Sequence, residues 1–130
     1  LQEAGVFAVK AGVDMIMVSH IMFPKIDKNN PASLSEEIIT NILRKDLGFN
    51  KVVITDDMTM GAIVNNYDIG EASVKSLKSG SDIILVCHEY ENQVKVIQAI
   101  KKAIDDGTLS ERDIDEKVYR VLKVKEKHLL

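Results

Sequence analysis

Lys51-Val52-Val53-Ile54-Thr55-Asp56-Asp57-Met58-Thr59-Met60 is the stretch on which the reading turns. Residues 51–55 read as a strand, and the strand stops abruptly at two carboxylates. Parallel α/β folds of both barrel and open-sheet type build their sites at the C-terminal ends of strands. Adjacent side chains on an extended strand point to opposite faces. One carboxylate therefore faces the mouth of the fold, while the other turns to a backbone amide or a cation. The competing expectation is that both acids cap the helix beginning near Met60-Gly61, since Asp is a common helix cap.

Working outward, helix-like and strand-like segments alternate. Residues 3–11 read as a helix ending at Gly12, and Val13-Asp14-Met15-Ile16-Met17-Val18 as a strand covered on both faces. His20 to Pro31 holds both prolines and reads as a long functional loop. Ser33-Leu34-Ser35-Glu36 has the pattern of a capping box. Ile38, Ile39, Ile42, Leu43 and Leu47 follow at helical spacing, with Gly48 as the stop. Beyond the acidic pair, residues 61–66 and 70–79 read as helices, 82–87 as a third strand and 91–105 as a helix with Val94, Ile97, Ile100, Ala103 and Ile104 inward. Ser110 caps a last helix carrying Ile114, Val118, Val121 and Leu122.

The chain also echoes itself. Lys10 to His20 matches Lys78 to His88 at six of eleven positions, 68 residues apart, or two βα units. The shared content is a helix end, a Gly for a left-handed turn, an Asp at the strand entry, and a buried parallel strand that runs to His20 and His88. The expected fold class is α/β, a partial TIM barrel of about three parallel strands alternating with helices. A complete barrel needs about 250 residues, so residues 1–130 are expected to leave open strand edges, which invite pairing with a second copy.

Composition narrows the functions. The chain has 130 residues, 45% hydrophobic and 28% charged, with a net charge of −3 and one cysteine. Such a chain buries a core. It lacks the clustered cations that nucleic acid requires, any apolar run long enough to span a membrane as a helix, and the cysteines of a disulfide framework or multi-cysteine zinc site. It starts at Leu1 inside a helix-like segment, which reads as a piece of something longer and leaves localisation open.

The stretch from Ile42 to Thr59 resembles the active-site signature of glycoside hydrolase family 3. The matching residues are Ile42, Leu43, Arg44, Asp46, Val52, Val53, Ile54, Thr55 and Asp56. Lys51 departs from it, standing where the family usually has Gly. Residues 11–20, the Phe23-Pro24 pair, Pro31-Ala32-Ser33-Leu34-Ser35 and the doubled acid Asp56-Asp57 resemble the β-N-acetylhexosaminidase branch, and Ile114-Asp115-Glu116-Lys117-Val118 with Arg120-Val121-Leu122 resembles the end of the same catalytic domain.

The resemblance implies a retaining glycosidase for β-linked N-acetylglucosamine, without a cofactor or metal, with Asp56 as the nucleophile that forms a glycosyl-enzyme. In that branch the acid/base is a His paired with an Asp on a loop upstream of the matched segment. Neither it nor the main sugar-binding Arg, Lys and Asp residues has a counterpart in residues 1–130. These residues are therefore expected to be inactive alone. His20, Met58 and Met60 are candidate substrate-lining residues. The bland readings are a strand-end His bonded to backbone and two core methionines. His88 has a weaker claim to the site, His128 reads as solvated, and Cys87 as a small buried hydrophobe. An Asp pair at a strand end also holds Mg²⁺ in phosphate-accepting receiver domains. That site needs a further Asp and a Lys at later strand ends, and Val86-Cys87-His88 supplies neither.

Overall fold

The computed structural model of the chain describes residues 2–129. Helix α1 (Gln2–Lys10) ends at Gly12, whose φ of 76° is the left-handed turn expected from the echo. Strand β1 (Met15–Val18) follows. The run expected to be a long functional loop contains an antiparallel hairpin, β2 (Met22–Phe23) and β3 (Asp27–Pro31), with an irregular register at Met22/Phe23.

Asp27 holds this hairpin together. Its carboxylate accepts from the Asn29 and Asn30 amides (2.9 and 3.1 Å), the Asn30 side chain (3.0 Å) and the Ser35 hydroxyl (2.7 Å). The Asn30 side chain first, then Ser35 and the backbone amides, hold the Asp27 carboxyl down at about 2, against an ordinary 3.8. A depressed folded-state pKa stabilises above the unfolded value and loses that stabilisation as pH falls through the folded value. The difference in Tm between the native chain and Asp27→Ala is therefore expected to be constant near neutrality, to narrow below 3.8 and to shrink further as pH falls through about 2. A difference independent of pH over that window would contradict this role.

A short 3₁₀ turn (Ala32–Leu34) leads into a helix over Glu37–Asp46 that is wound as a π-helix. The expected box between Ser33 and Glu36 does not form. Ser33 Oγ is committed to His20 (2.6 Å), and Ser35 Oγ accepts the Ile38 amide instead (3.3 Å). Ile39 and Leu43, with Leu47 just past the helix, face one way and pack against Val18, Ala32, Phe49 and Val53.

Strand β4 (Val52–Thr55) pairs in parallel with β1, Met15 opposite Val52 through Val18 opposite Thr55. The third expected strand takes the predicted path but is not regular. One parallel bridge joins Ile83 to Ile54, with Thr55 N–H donating to Ile83 (3.1 Å) and Ile83 N–H to Val53 (3.1 Å). Beyond it the ladder is diverted. The Leu85 amide donates to the Thr55 hydroxyl (3.0 Å) rather than to a strand carbonyl, and Met58 N–H takes the Leu85 carbonyl (2.9 Å). The fold is thus α/β with two regular parallel strands, not three.

Helices α2 (Gly61–Val64), α3 (Ile69–Ser79), α4 (Tyr90–Asp105) and α5 (Glu111–Leu129) complete the chain. Asp68 caps α3 and Gly80 ends it at φ 116°; a Cβ there would lie 2.6 Å from Thr40 Oγ1. Helix α4 turns Val96, Ile100 and Ala103 into the core and leaves Ile97 exposed, against expectation. Gly70 permits this rotation, since a Cβ at that position would meet Ala99 at 2.8 Å. Ser110 caps α5 through the Asp113 amide, as expected.

The inward face of α5 departs further. Val118 and Leu122 are exposed, and Lys117 is buried. The cause is Asp82 at the start of the third strand segment. Its fully buried carboxylate accepts from Arg44 (2.7 Å), Arg120 (2.9 Å) and the Val53 amide (2.8 Å). Burial pushes Lys117 below the usual lysine range, an effect the Asp82 charge opposes. At the matching position of the echo, Asp14 accepts from Lys51 (2.8 Å), Lys127 (2.9 Å) and His128 (2.7 Å). These hydrogen bonds, that from Lys51 foremost, hold Asp14 well below the carboxylate range. His128 is accordingly a hydrogen-bond partner of Asp14, not simply a solvated residue. Among the described residues, no helix is long and apolar enough to cross a membrane.

Candidate functional site

The tip of β4 is fixed from three sides. The Asp56 amide donates to Val18 O (3.0 Å), extending the β1–β4 pairing by one residue. Asp56 is half-buried. Its Oδ1 accepts the Asp57 amide (2.8 Å), and among the described residues Oδ2 accepts no hydrogen bond. Neither acid caps α2, whose N-terminal Met60 makes no side-chain cap.

Asp57 is the acid that turns to backbone amides. Its Oδ1 accepts from Thr59 N–H (3.0 Å) and Cys87 N–H (3.0 Å), and its Oδ2 from the Thr59 hydroxyl (2.6 Å). Burial works to raise this carboxyl, but the Thr59 and Cys87 hydrogen bonds and the nearby His88 together hold it below its ordinary value. Asp57 thus ties the β4 turn to the end of the third strand segment.

The two histidines of the echo flank Asp57. His20 is buried; its Nε2 donates to the Asp57 carbonyl (3.0 Å) and its Nδ1 lies 2.6 Å from Ser33 Oγ. His88 is exposed, with Nε2 3.8 Å from Asp57 Oδ2, beyond a normal hydrogen bond. Cys87 is exposed rather than buried, which corrects the expectation. Its thiol is pushed up by desolvation and by the Asp57 and Asp56 charges, so it is no activated nucleophile.

The methionines separate. Met58 is 0% exposed and packs with Leu34, Ile63, Ile69, Ala72 and Val96. Added chain can only bury it further, so Met58 belongs to the core and not to a substrate wall. Met60 is 45% exposed beside the acidic turn, where it can meet a ligand. Ser33, Thr59 and the Cys87 amide were not anticipated as partners of the site. The one sequence signal for them was the echo, which set a His at the end of each flanking strand.

Arg44 of the signature has no part at this tip. At the opposite end of the strands its guanidinium donates to Gly80 O, Lys51 O and Asp82. Lys51, the departure from the signature, is also accommodated. Among the described residues Glu89 is the non-glycine with positive φ, so position 51 does not require glycine, and Lys51 Nζ bonds Gly12 O (2.7 Å) and Asp14. No group of three His, Cys, Asp or Glu suited to a metal occurs among the described residues.

A half-exposed carboxylate at the tip of a parallel strand suits covalent or acid–base chemistry on a small ligand. The profile of the glycosyl hydrolase family 3 N-terminal domain matches residues 6–124. The chain belongs to glycosyl hydrolase family 3. The chain is also similar to proteins named as glycosyl hydrolases. A β-hexosaminidase of Idiomarina loihiensis is 34% identical over 110 residues, covering 85% of this chain and 31% of that protein. An uncharacterised secreted glycosyl hydrolase of Arthroderma benhamiae is 34% identical over 115 residues, covering 88% and 33%. The solved family 3 β-N-acetylglucosaminidase of a Paenibacillus species superposes with a TM-score of 0.91 at 39% identity, over 93% of this chain and 23% of that one. The chain spans about a quarter to a third of the length of the curated relatives it matches.

Proposed function

We propose that this chain supplies the nucleophile side of a retaining β-N-acetylglucosaminidase, with Asp56 as the nucleophile. The observation that carries the reading is the Asp56 carboxylate itself: at the strand tip, half-exposed, with one oxygen held by the Asp57 amide and the other free of hydrogen bonds among the described residues. Such an oxygen attacks the anomeric carbon as the C1–O bond to the leaving group breaks, and an acid delivers a proton to the departing oxygen. Water then attacks C1 of the glycosyl-enzyme and releases Asp56. The substrate class, β-linked N-acetylglucosamine, is that named for the related Paenibacillus enzyme.

The proton donor is proposed to come from outside residues 1–130. His88 is the exposed imidazole beside the acidic pair, and it sits against Asp57. Residues 1–130 alone are therefore expected to show no turnover, since general acid catalysis contributes about 10²–10⁴-fold. The sheet is read as three adjacent strands of a (β/α)8 barrel. In support, Met15 and Met17 on β1 are exposed on one face, as side chains bound for a barrel's inner layers are when further strands are not alongside. Pairing of the free β1 edge with a second copy, the alternative raised by the sequence, would use the same backbone groups, and a sedimentation mass separates the two.

The direct test is covalent trapping in a protein carrying this chain and its proton donor. A fluorinated N-acetylglucosaminyl donor with a good leaving group should accumulate as a glycosyl-enzyme. Mass spectrometry is expected to find the sugar on the peptide bearing Asp56. A label on any other residue would overturn the assignment.

A further inference from the structure

We infer that His20 is a positioning residue for Asp56, acting through the Asp57 carbonyl. The inference rests on the reading of Asp56 as nucleophile and goes beyond it.

The geometry is a buried chain of hydrogen bonds leading to the acidic turn. A carbonyl can only accept, so His20 Nε2 carries the proton in its 3.0 Å contact with Asp57 O. In the neutral ring Nδ1 is then an acceptor, and Ser33 Oγ at 2.6 Å donates to it. Ser33 is itself fixed: its carbonyl accepts from Ser76 Oγ (2.7 Å), and Ser76 Oγ lies 2.9 Å from Ser81 Oγ. Ser33, Ser76 and Ser81 are fully buried. The ring is thus held in one tautomer and one orientation, with no ring nitrogen left for a substrate. His20 supports the site from behind and does not line it, which corrects the substrate-lining expectation.

The Asp57 carbonyl is the anchor that matters. It lies one peptide beyond Asp56, and the Asp57 amide is the group that holds Asp56 Oδ1. The same carbonyl accepts Met60 N–H (3.0 Å) and so closes the turn. On the other side the Asp57 carboxylate is tied to Thr59 and Cys87. Removing the His20 donor leaves the Asp57 carbonyl held by Met60 N–H alone, which lets the peptide tilt toward that side and carries Asp56 with it. A misplacement of about 1 Å at a reacting group costs about 10²-fold in rate.

Three substitutions separate this role from simple support of the fold. His20→Gln places an N–H donor near the Nε2 position, and His20→Asn places one only near Nδ1. His20→Phe keeps the bulk and removes both. In the protein carrying this chain and its proton donor, His20→Phe and His20→Asn are expected to lower kcat by about 10–100-fold, the scale of a misplaced reacting group, with KM within about twofold. His20→Gln is expected to recover most of kcat, and single-turnover glycosylation of Asp56 should follow the same order. Equal kcat in all three variants and the native protein, or equal losses in Gln and Asn, would overturn the inference. If the trapped sugar sits on Asp56 while kcat ignores His20, the positioning role fails and the nucleophile stands. If the sugar is found elsewhere, both fall.

Discussion

Asp56→Ala, in a protein carrying this chain and its proton donor, is expected to lower kcat by about 10⁴-fold or more, the scale seen when a covalent nucleophile is removed. At about 1.4 kcal/mol per tenfold, that is at least roughly 5.5 kcal/mol of transition-state stabilisation. Stability should barely move. The Asp56 side chain is half-buried and holds one amide, that of its own neighbour; such substitutions stay within about 0.5–1 kcal/mol. The contrast between a lost rate and a preserved Tm is what marks a reacting group. A small anion gives a second readout. Azide can enter the space the carboxylate leaves and attack C1 from the same face, so the expected product is a glycosyl azide of inverted configuration. Activity within tenfold of the native protein, or an azide product of retained configuration, would remove Asp56 from the mechanism.

Asp82→Ala should do the reverse, costing stability with no direct contact at the strand tip. Its fully buried carboxylate neutralises Arg44 and Arg120 and faces Lys117. Truncation leaves these cations crowded in a low-dielectric space and the Val53 amide without its acceptor. Breaking a buried pair by removing one partner costs about 3–5 kcal/mol, a large share of the roughly 5–15 kcal/mol by which domains are stable. Urea denaturation measures it directly, and a loss under about 1 kcal/mol would show that the cluster relaxes into water. Asp14, the echo counterpart, is the control. Its cations are more exposed, so its removal should cost far less, and salt should erode that smaller contribution.

What was legible in the sequence was what short-range patterning controls. The Val52–Thr55 strand, its acidic end, the left-handed glycines at 12 and 80 and the Ser110 cap all lie within a few residues of their cause. What was illegible depended on distant partners. Val118 is exposed and Lys117 buried because of Asp82, 35 residues earlier. The hairpin at 22–31 has no alternating apolar pattern; Asp27 and its side-chain hydrogen bonds hold it. Residues 82–87 read as a strand by apolarity, yet a single hydroxyl on Thr55 diverts their ladder. At the site, the acidic doublet was visible as such. The buried role of Met58 and the engagement of both His20 nitrogens were not, because composition at a strand end does not say which side faces the core.

The carboxylates of Asp14 and Asp82 sit on the two outer segments of the sheet and grip Lys127 and Arg120 on one helix. Seven residues of helix rise about 10.5 Å, and two strand spacings amount to about 9.5 Å. The last helix therefore works as a ruler laid across the sheet, cut to its width. Its two ion pairs add a clamp across the sheet to the hydrogen bonds that already hold the third segment to Val53 and Thr55, so an insertion between positions 120 and 127 would carry one pair out of reach of its carboxylate without touching a strand.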